Sequence, residues 1–259
     1  MLCIDNIRTE PYFNIAAEEY FLKNSEENIF MLYRNEPSVI IGKHQNVQVE
    51  VNTKFAEDHR IKIVRRFSGG GAVYHDLGNI NLTFIESGTN LNFDRFTNAM
   101  IDMLSYLAGV DAKADARRGL TISGYKISGS AQGVYKNRVM YHATLLFSSD
   151  LASLTSSLEG DELFISDKKV RKLSVRSVKS PVTNVVEHLD SRIAIDEFSK
   201  QILNYFMTKS EGNSLHQFSE KDIIEIENLT NNKYSTHEWN YEAFVPGSKN
   251  KAELSTVRL

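Results

Sequence analysis

Arg65-Arg66-Phe67-Ser68-Gly69-Gly70-Gly71-Ala72-Val73 sets two guanidinium groups beside a serine and three consecutive glycines. That combination suits an anion. Glycine lets the backbone take positive φ and approach a ligand without a Cβ in the way, so main-chain N–H groups can point at phosphate or carboxylate oxygens. A guanidinium such as that of Arg66 can bind two such oxygens at once. Neither common nucleotide fingerprint fits, because no Gly-Lys-Ser/Thr closes the loop and the glycines are not spaced G-x-G-x-x-G before a helix. A second candidate is Lys126, a point charge with small neighbours (Ser128, Gly129, Ser130) that leave room for a ligand. Taken alone, such a lysine is more often a solvated residue on a strand edge, and a lone glycine run is more often a hairpin with solvated arginines beside it. His142 has no second ligand at metal spacing, so it reads as a hydrogen-bonded structural histidine.

These residues need strands to hold them. Leu2 to Ile4 can open a sheet, and Pro11 to Asn24 has helical spacing, with Phe13, Ala16, Ala17, Tyr20 and Phe21 on one face and Asn14 as a plausible N-cap. Ile29 to Tyr33 and Ser38 to Gly42 read as strands around the turn Asn35-Glu36-Pro37, and the continuous Val39-Ile40-Ile41 suits burial on both faces. A short helix is expected at Asn52 to His59. Ile61 to Arg65 then delivers the glycine loop, and Asn79 to Ile85 leaves it as an alternating, half-buried strand. Phe93 to Leu107 is an amphipathic helix stopped by Gly109. Gly119 to Gln132 reads as a strand-like segment broken by glycines, with Lys126, Ser128 and Ser130 on a common face, followed by a strand at Val139 to Phe147. A loop or short helix is expected at 158–172, helices at Ile193 to Met207 and Ser219 to Thr230, and a polar tail at 245–259.

With 41% hydrophobic and 24% charged residues in 259, the composition is that of a folded globular chain, long enough for one sizeable domain or a domain with a small appendage. A formal net charge of −3 argues against a general nucleic-acid binder, so any anion site must be local. No run of 18 apolar residues and no charged-then-apolar leader is present, so neither membrane span nor signal peptide is expected, and the cytoplasm is the default. One cysteine, Cys3, excludes an internal disulfide and a multi-thiolate zinc site.

Arg-Arg-Phe-Ser-Gly-Gly-Gly-Ala-Val-Tyr-His-Asp-Leu-Gly-Asn at 65–79 resembles the signature of the lipoate–protein ligase A family. Further landmarks follow the family's order: Asn14-Ile15-Ala16-Ala17-Glu18-Glu19, Gly42-Lys43-His44-Gln45-Asn46, the lysine motif around Lys126, Tyr141-His142-Ala143-Thr144-Leu145-Leu146, Ser177 to Asn184, and Trp239-Asn240-Tyr241. Pro181 stands where the family is frequently basic. The resemblance spans roughly residues 1–244 and implies a mixed α/β (α+β) domain. In that fold a largely antiparallel central sheet is flanked by helices, as in the biotin/lipoate ligase catalytic domain and class II aminoacyl-tRNA synthetases. It implies ATP-dependent activation of lipoate, with Mg²⁺, to lipoyl-AMP, and transfer to a lysine of a carrier domain, an E2 or H protein.

By the same resemblance Lys126 is the catalytic lysine that contacts the acyl carboxylate and the α-phosphate. Arg66, Ser68, Gly69, Gly70, Gly71, Ala72, Val73, Tyr74, Asp76 and Asn79 supply the nucleotide loop, and Ser128, Gly129, Ser130, His142 and Thr144 the facing wall. Metal ligands on the protein are not assigned. The family often has a smaller C-terminal accessory domain, which this sequence is expected to lack. Adenylation could then need a separate accessory polypeptide, or the chain could use preformed lipoyl-AMP. A cysteine-dependent octanoyl or lipoyl transferase is disfavoured, since Cys3 lies in an apolar run and matches no family nucleophile. A biotin ligase is disfavoured by its different glycine motif.

Overall fold

The structure, a computed structural model, describes residues 1–88, 92–161, 165–166 and 175–242. The polar tail expected at 245–259, and most of the loop expected at 158–172, lie outside the described residues. In chain order the elements begin with β1 (Leu2–Asn6), α1 (Pro11–Asn24), β2 (Ile29–Tyr33), β3 (Ser38–Ile41), α2 (Val47–Glu50) and α3 (Thr53–Asp58). Next come β4 (Lys62–Arg65), β5 (Val73–His75), β6 (Asn79–Ser87), α4 (Asp94–Ala108), β7 (Lys113–Ala114) and β8 (Leu120–Ile122). The chain continues through β9 (Tyr125–Ser128), β10 (Ser130–Tyr135), β11 (Arg138–Leu146), α5 (Leu151–Ser157), α6 (Ile195–Thr208), β12 (Ser214–His216) and α7 (Glu220–Leu229).

Six strands form the main sheet in the order β10-β11-β6-β2-β1-β12. Its pairs from β10 to β2 are antiparallel, while β1 runs parallel to both β2 and β12. Both faces are covered, so β2 and β11 are buried along their whole length. Alternation sends Cys3, Phe30, Leu32 and Phe84 to the side packed by α4 and α6. Ile4, Met31, Tyr33 and Met140 go to the side packed by α1 and α7. Cys3 is fully buried and burial raises its thiol pKa, which suits a core residue and not an accessible thiolate. No helix among the described residues is long and apolar enough to cross a membrane.

A three-stranded sheet, β4-β3-β5, carries the glycine loop between β4 and β5, with β3 central and buried as its sequence indicates. Two expectations fail. Asn14 does not cap α1: Glu10 does, accepting from the Phe13 N–H at 2.7 Å, because Pro11 fixes the first helical position and leaves Asn14 inside the helix. Gly119 to Gln132 is not one strand either. Ser123 and Gly124 take positive φ (51° and 85°) and fold β8 and β9 into a hairpin of a second three-stranded sheet. At Gly129 the chain crosses into β10 of the main sheet, so Lys126 and Ser130 stand on different sheets.

Arg65 fixes the geometry behind the loop. It is fully buried, and its guanidinium donates to the carbonyls of Gly42 (3.1 Å), Lys43 (3.2 Å), Gln45 (2.7 Å), Trp239 (2.9 Å) and Asn240 (2.9 Å). Trp239 returns an indole N–H to the Arg65 carbonyl at 2.7 Å. Arg65→Met leaves those carbonyls buried and without their donor. It should cost roughly 3–5 kcal/mol, read as a lower urea midpoint at unchanged slope.

Candidate active site

The glycine loop closes on β3 because two glycines meet there. A Cβ on Gly42 would lie 2.1 Å from the Gly70 carbonyl oxygen, and Gly70 itself sits at φ +89°. Arg66 organises the loop from inside. Its Nε donates to Ser68 Oγ (3.1 Å) and the Gly69 carbonyl (3.1 Å), Nη1 to the Ile40 carbonyl (3.0 Å), and Nη2 to the Gly71 carbonyl (2.8 Å) and again to Gly69 (2.6 Å). Burial pushes its pKa down to about 10, so it remains a cation at neutral pH. With the carbonyls turned onto Arg66, the N–H groups of Gly69, Gly70 and Gly71 make no hydrogen bond among the described residues. The Ala72 N–H donates to Ser177 Oγ at 2.8 Å, and Gln45 Nε2 donates to the same hydroxyl at 3.0 Å. Residues 175–178 are thereby laid against the loop.

Loop and main sheet enclose a cavity of about 330 Å³. Arg66, Gly70, Gly71, Ala72 and Val73 form one wall, while Lys126, Gly129, Ser130, His142 and Thr144 face them. The remaining residues expected at the site stand behind it. Ser68 and Gly69 bond Arg66. Tyr74 packs in the core of the β3 sheet, and Ser128 is buried. Asp76 accepts from the N–H groups of Gly78 (2.9 Å) and Asp150 (2.7 Å), bracing the start of α5. Asn79 donates to Asn81 at 2.9 Å.

Lys126 stands half-buried at the rim with Nζ 3.7 Å from Asp115 Oδ2. Burial lowers its pKa, and the attraction of Asp115 offsets part of that. The backbone of Lys126 is clamped on its far side. Its N–H donates to the Pro181 carbonyl at 2.8 Å, and its carbonyl accepts from the Thr183 N–H at 3.1 Å. The proline thus serves through its carbonyl. Arg117 adds a further cation to the cavity wall.

Sequence reasoning missed the floor: Tyr33, His75, Asn81 and Glu18. The buried Glu18 carboxylate accepts from His142 Nδ1 (2.7 Å), Tyr33 (3.0 Å) and Thr83, and His142 Nε2 lies 2.7 Å from Ser68 Oγ. Burial pushes the Glu18 pKa up, but His142 and the two hydroxyls outweigh it and hold it below its ordinary value. The signal was the pair Glu18-Glu19 on a helix otherwise lined by Ala16, Ala17 and Phe21. Glu19 is likewise buried, paired with Lys23 (2.6 Å), Lys233 (2.7 Å) and the Tyr234 hydroxyl. His142 is hydrogen-bonded as expected, yet it also lines the cavity.

The family model described as lipoyl protein ligase A/B catalytic domain matches residues 10–207. A lipoate–protein ligase 1 of Staphylococcus aureus is 40% identical over 242 residues, covering 92% of this chain and 72% of the relative. Among solved structures, the bi-partite lipoate protein ligase of Thermoplasma acidophilum, described with its E2 lipoyl domain, superposes with TM-score 0.75 at 27% identity. It covers 92% of this chain and 95% of that one. A lipoate-protein ligase A bound with ATP superposes with TM-score 0.74 at 25% identity, covering 93% and 98%.

His75 gives the site a pH signature. Burial first, then the charges of Arg66 and His142, push its pKa down to about 3, against an ordinary 6.5. Between those values the unfolded chain binds a proton that the folded chain refuses, so stability falls as pH drops below 6.5. The depressed Glu18 carboxyl acts lower, its contribution being present above about 4.5 and lost as pH falls through its folded value. Chemical denaturation between pH 6.5 and 4.5 should therefore show a stability slope that is shallower in His75→Phe by up to about 1.4 kcal/mol per pH unit.

Proposed function

The chain belongs to the lipoyl protein ligase A/B family, and on that premise we propose that it activates lipoate with ATP and passes the lipoyl group to a lysine of a carrier domain. The observation that carries this reading is Lys126, a desolvated cation at the rim of a largely apolar cavity, facing a loop whose glycine N–H groups have no partner among the described residues. A carboxylate and an α-phosphate repel each other, so their union needs fixed positive charge between them. Lys126 supplies that charge where the carboxylate oxygen attacks phosphorus and pyrophosphate departs. The N–H groups of Gly70 and Gly71 receive phosphate oxygens, and Arg66 acts by holding the loop's carbonyls away from them. In the second step the carrier's lysine amine attacks the acyl carbonyl, AMP leaves, and Lys126 stabilises the developing oxyanion.

Mg²⁺ enters this scheme with the nucleotide. The described residues contain no cluster of three His, Cys, Asp or Glu side chains, and Asp115 is the carboxylate beside Lys126. The phosphates would therefore be the cation's main ligands, and the ion would neutralise the departing pyrophosphate. The carrier is proposed to be an E2 or H-protein lipoyl domain, and the compartment the cytoplasm, where ATP and such carriers meet.

The test is pyrophosphate release and lipoylation of a purified carrier domain by the wild type and by Lys126→Ala. Lys126→Ala should lower both rates by roughly 10²–10³. In a second arm lipoyl-AMP replaces lipoate and ATP. Transfer in this arm alone would assign adenylation to a separate polypeptide and leave this chain the transfer step. Undiminished activity in Lys126→Ala would overturn the assignment of the lysine.

A further inference from the structure

Beneath the cavity floor runs a relay of buried amides that adenylate chemistry does not require. Asn6 Nδ2 donates to Asn14 Oδ1 (2.7 Å), Asn14 Nδ2 to Asn35 Oδ1 (2.8 Å), and Asn35 Nδ2 to His75 Nδ1 (3.0 Å). The direction of the relay is fixed at Asn14, whose nitrogen also meets the carbonyls of Arg8 (2.8 Å) and Arg34 (3.3 Å), neither of which can donate. Asn35 therefore offers an N–H to His75, and the proton of the uncharged ring must sit on Nε2.

That Nε2–H is buried and has no partner among the described residues, although His75 is only 3% exposed and lines the cavity. Asn81, also 3% exposed, leaves its Nδ2 without a partner beside it, its Oδ1 being taken by Asn79. Two buried donors thus belong to side chains that line the same cavity as the half-buried cation Lys126. The apolar part of its lining includes Ile15, Ile40, Val73 and Ala131.

We propose that His75, assisted by Asn81, reads the distal end of the acyl chain and makes the site prefer lipoate over the unsubstituted eight-carbon acid. The proposal rests on the ligase reading above, which places the carboxylate at Lys126 and so sends the other end of the chain to the floor. A dithiolane brings two polarisable sulfur atoms whose lone pairs can accept weak hydrogen bonds. A terminal methyl offers none, and it would seal both donors away from water without a partner. The discrimination comes from the unpaired donor as much as from the contact formed.

The experiment is calorimetric binding of lipoate, octanoate and ω-hydroxyoctanoate to the full chain, to His75→Phe and to His75→Gln. In the wild type ω-hydroxyoctanoate should bind about tenfold more tightly than octanoate, since its oxygen is a good acceptor for the same N–H. This comparison needs no variant to fold. The lipoate-to-octanoate affinity ratio should fall about tenfold in His75→Phe, whatever loss the two acids share, and recover in part in His75→Gln, whose amide can donate. An unchanged ratio in His75→Phe, or a hydroxyl worth nothing in the wild type, overturns the proposal and leaves the ligase reading standing. A wild type that binds neither lipoate nor octanoate overturns both.

Discussion

A guanidinium taken out of water must be solvated by something, and here Arg66 is solvated by backbone carbonyls. Three of those carbonyls decide the shape of the site: Gly69 and Gly71 turn inward to the cation, and Ile40 ties it to the central strand of the small sheet. A loop of glycines has too many accessible conformations to hold one by itself. The cation selects one. Its neighbour Arg65 does the same on the opposite side of the strand, tying the 42–45 turn and the 239–240 segment to the end of β4. Neither side chain is free to follow a ligand, which makes the loop a preformed cradle.

The facing wall is divided between two sheets. His142 and Thr144 belong to the six-stranded sheet, whose strands are covered on both sides, while Lys126 belongs to the short β7-β8-β9 sheet. The two are joined where the Gly129 N–H meets Thr144 Oγ1 at 3.0 Å and the Thr144 N–H meets the Gly129 carbonyl at 2.9 Å. The floor belongs to the larger sheet, and a hairpin held by fewer strands presents the charge.

Much of this was legible in the residues. The apolar runs and the Gly109 stop are local signals that the structure follows, whereas Asn79 to Ile85, expected half-buried from its alternation, is buried on both faces. The glycine loop and Lys126 stood out through the order of the family's motifs, since their residue types alone suit a hairpin and an edge lysine. The floor did not. Glu18 meets His142 across 124 positions, and Asn14 enters the relay only because Pro11 moves the helix start upstream of it. A lone Asn or Glu on a helix face carries no mark of its distant partner, so contacts of that kind appear only once the sheet has brought them together. The crossing at Gly129 was hidden for the opposite reason: a hairpin and a sheet change both look, in one dimension, like a strand with glycines in it.

The bonds from Arg65 to Trp239 and Asn240, and from Glu19 to Lys233 and Tyr234, have a consequence for how the molecule is made on the ribosome. The cradle's own residues are complete once position 73 has been synthesised, but the groups that finish enclosing Arg65 and Glu19 emerge more than 150 residues later. Until then a buried cation and a buried anion lack part of their solvation. Assembly of a competent site is thus tied to arrival of the segment around 233–240, and a ribosome stalled before it would display the sheet without a firmly held cradle.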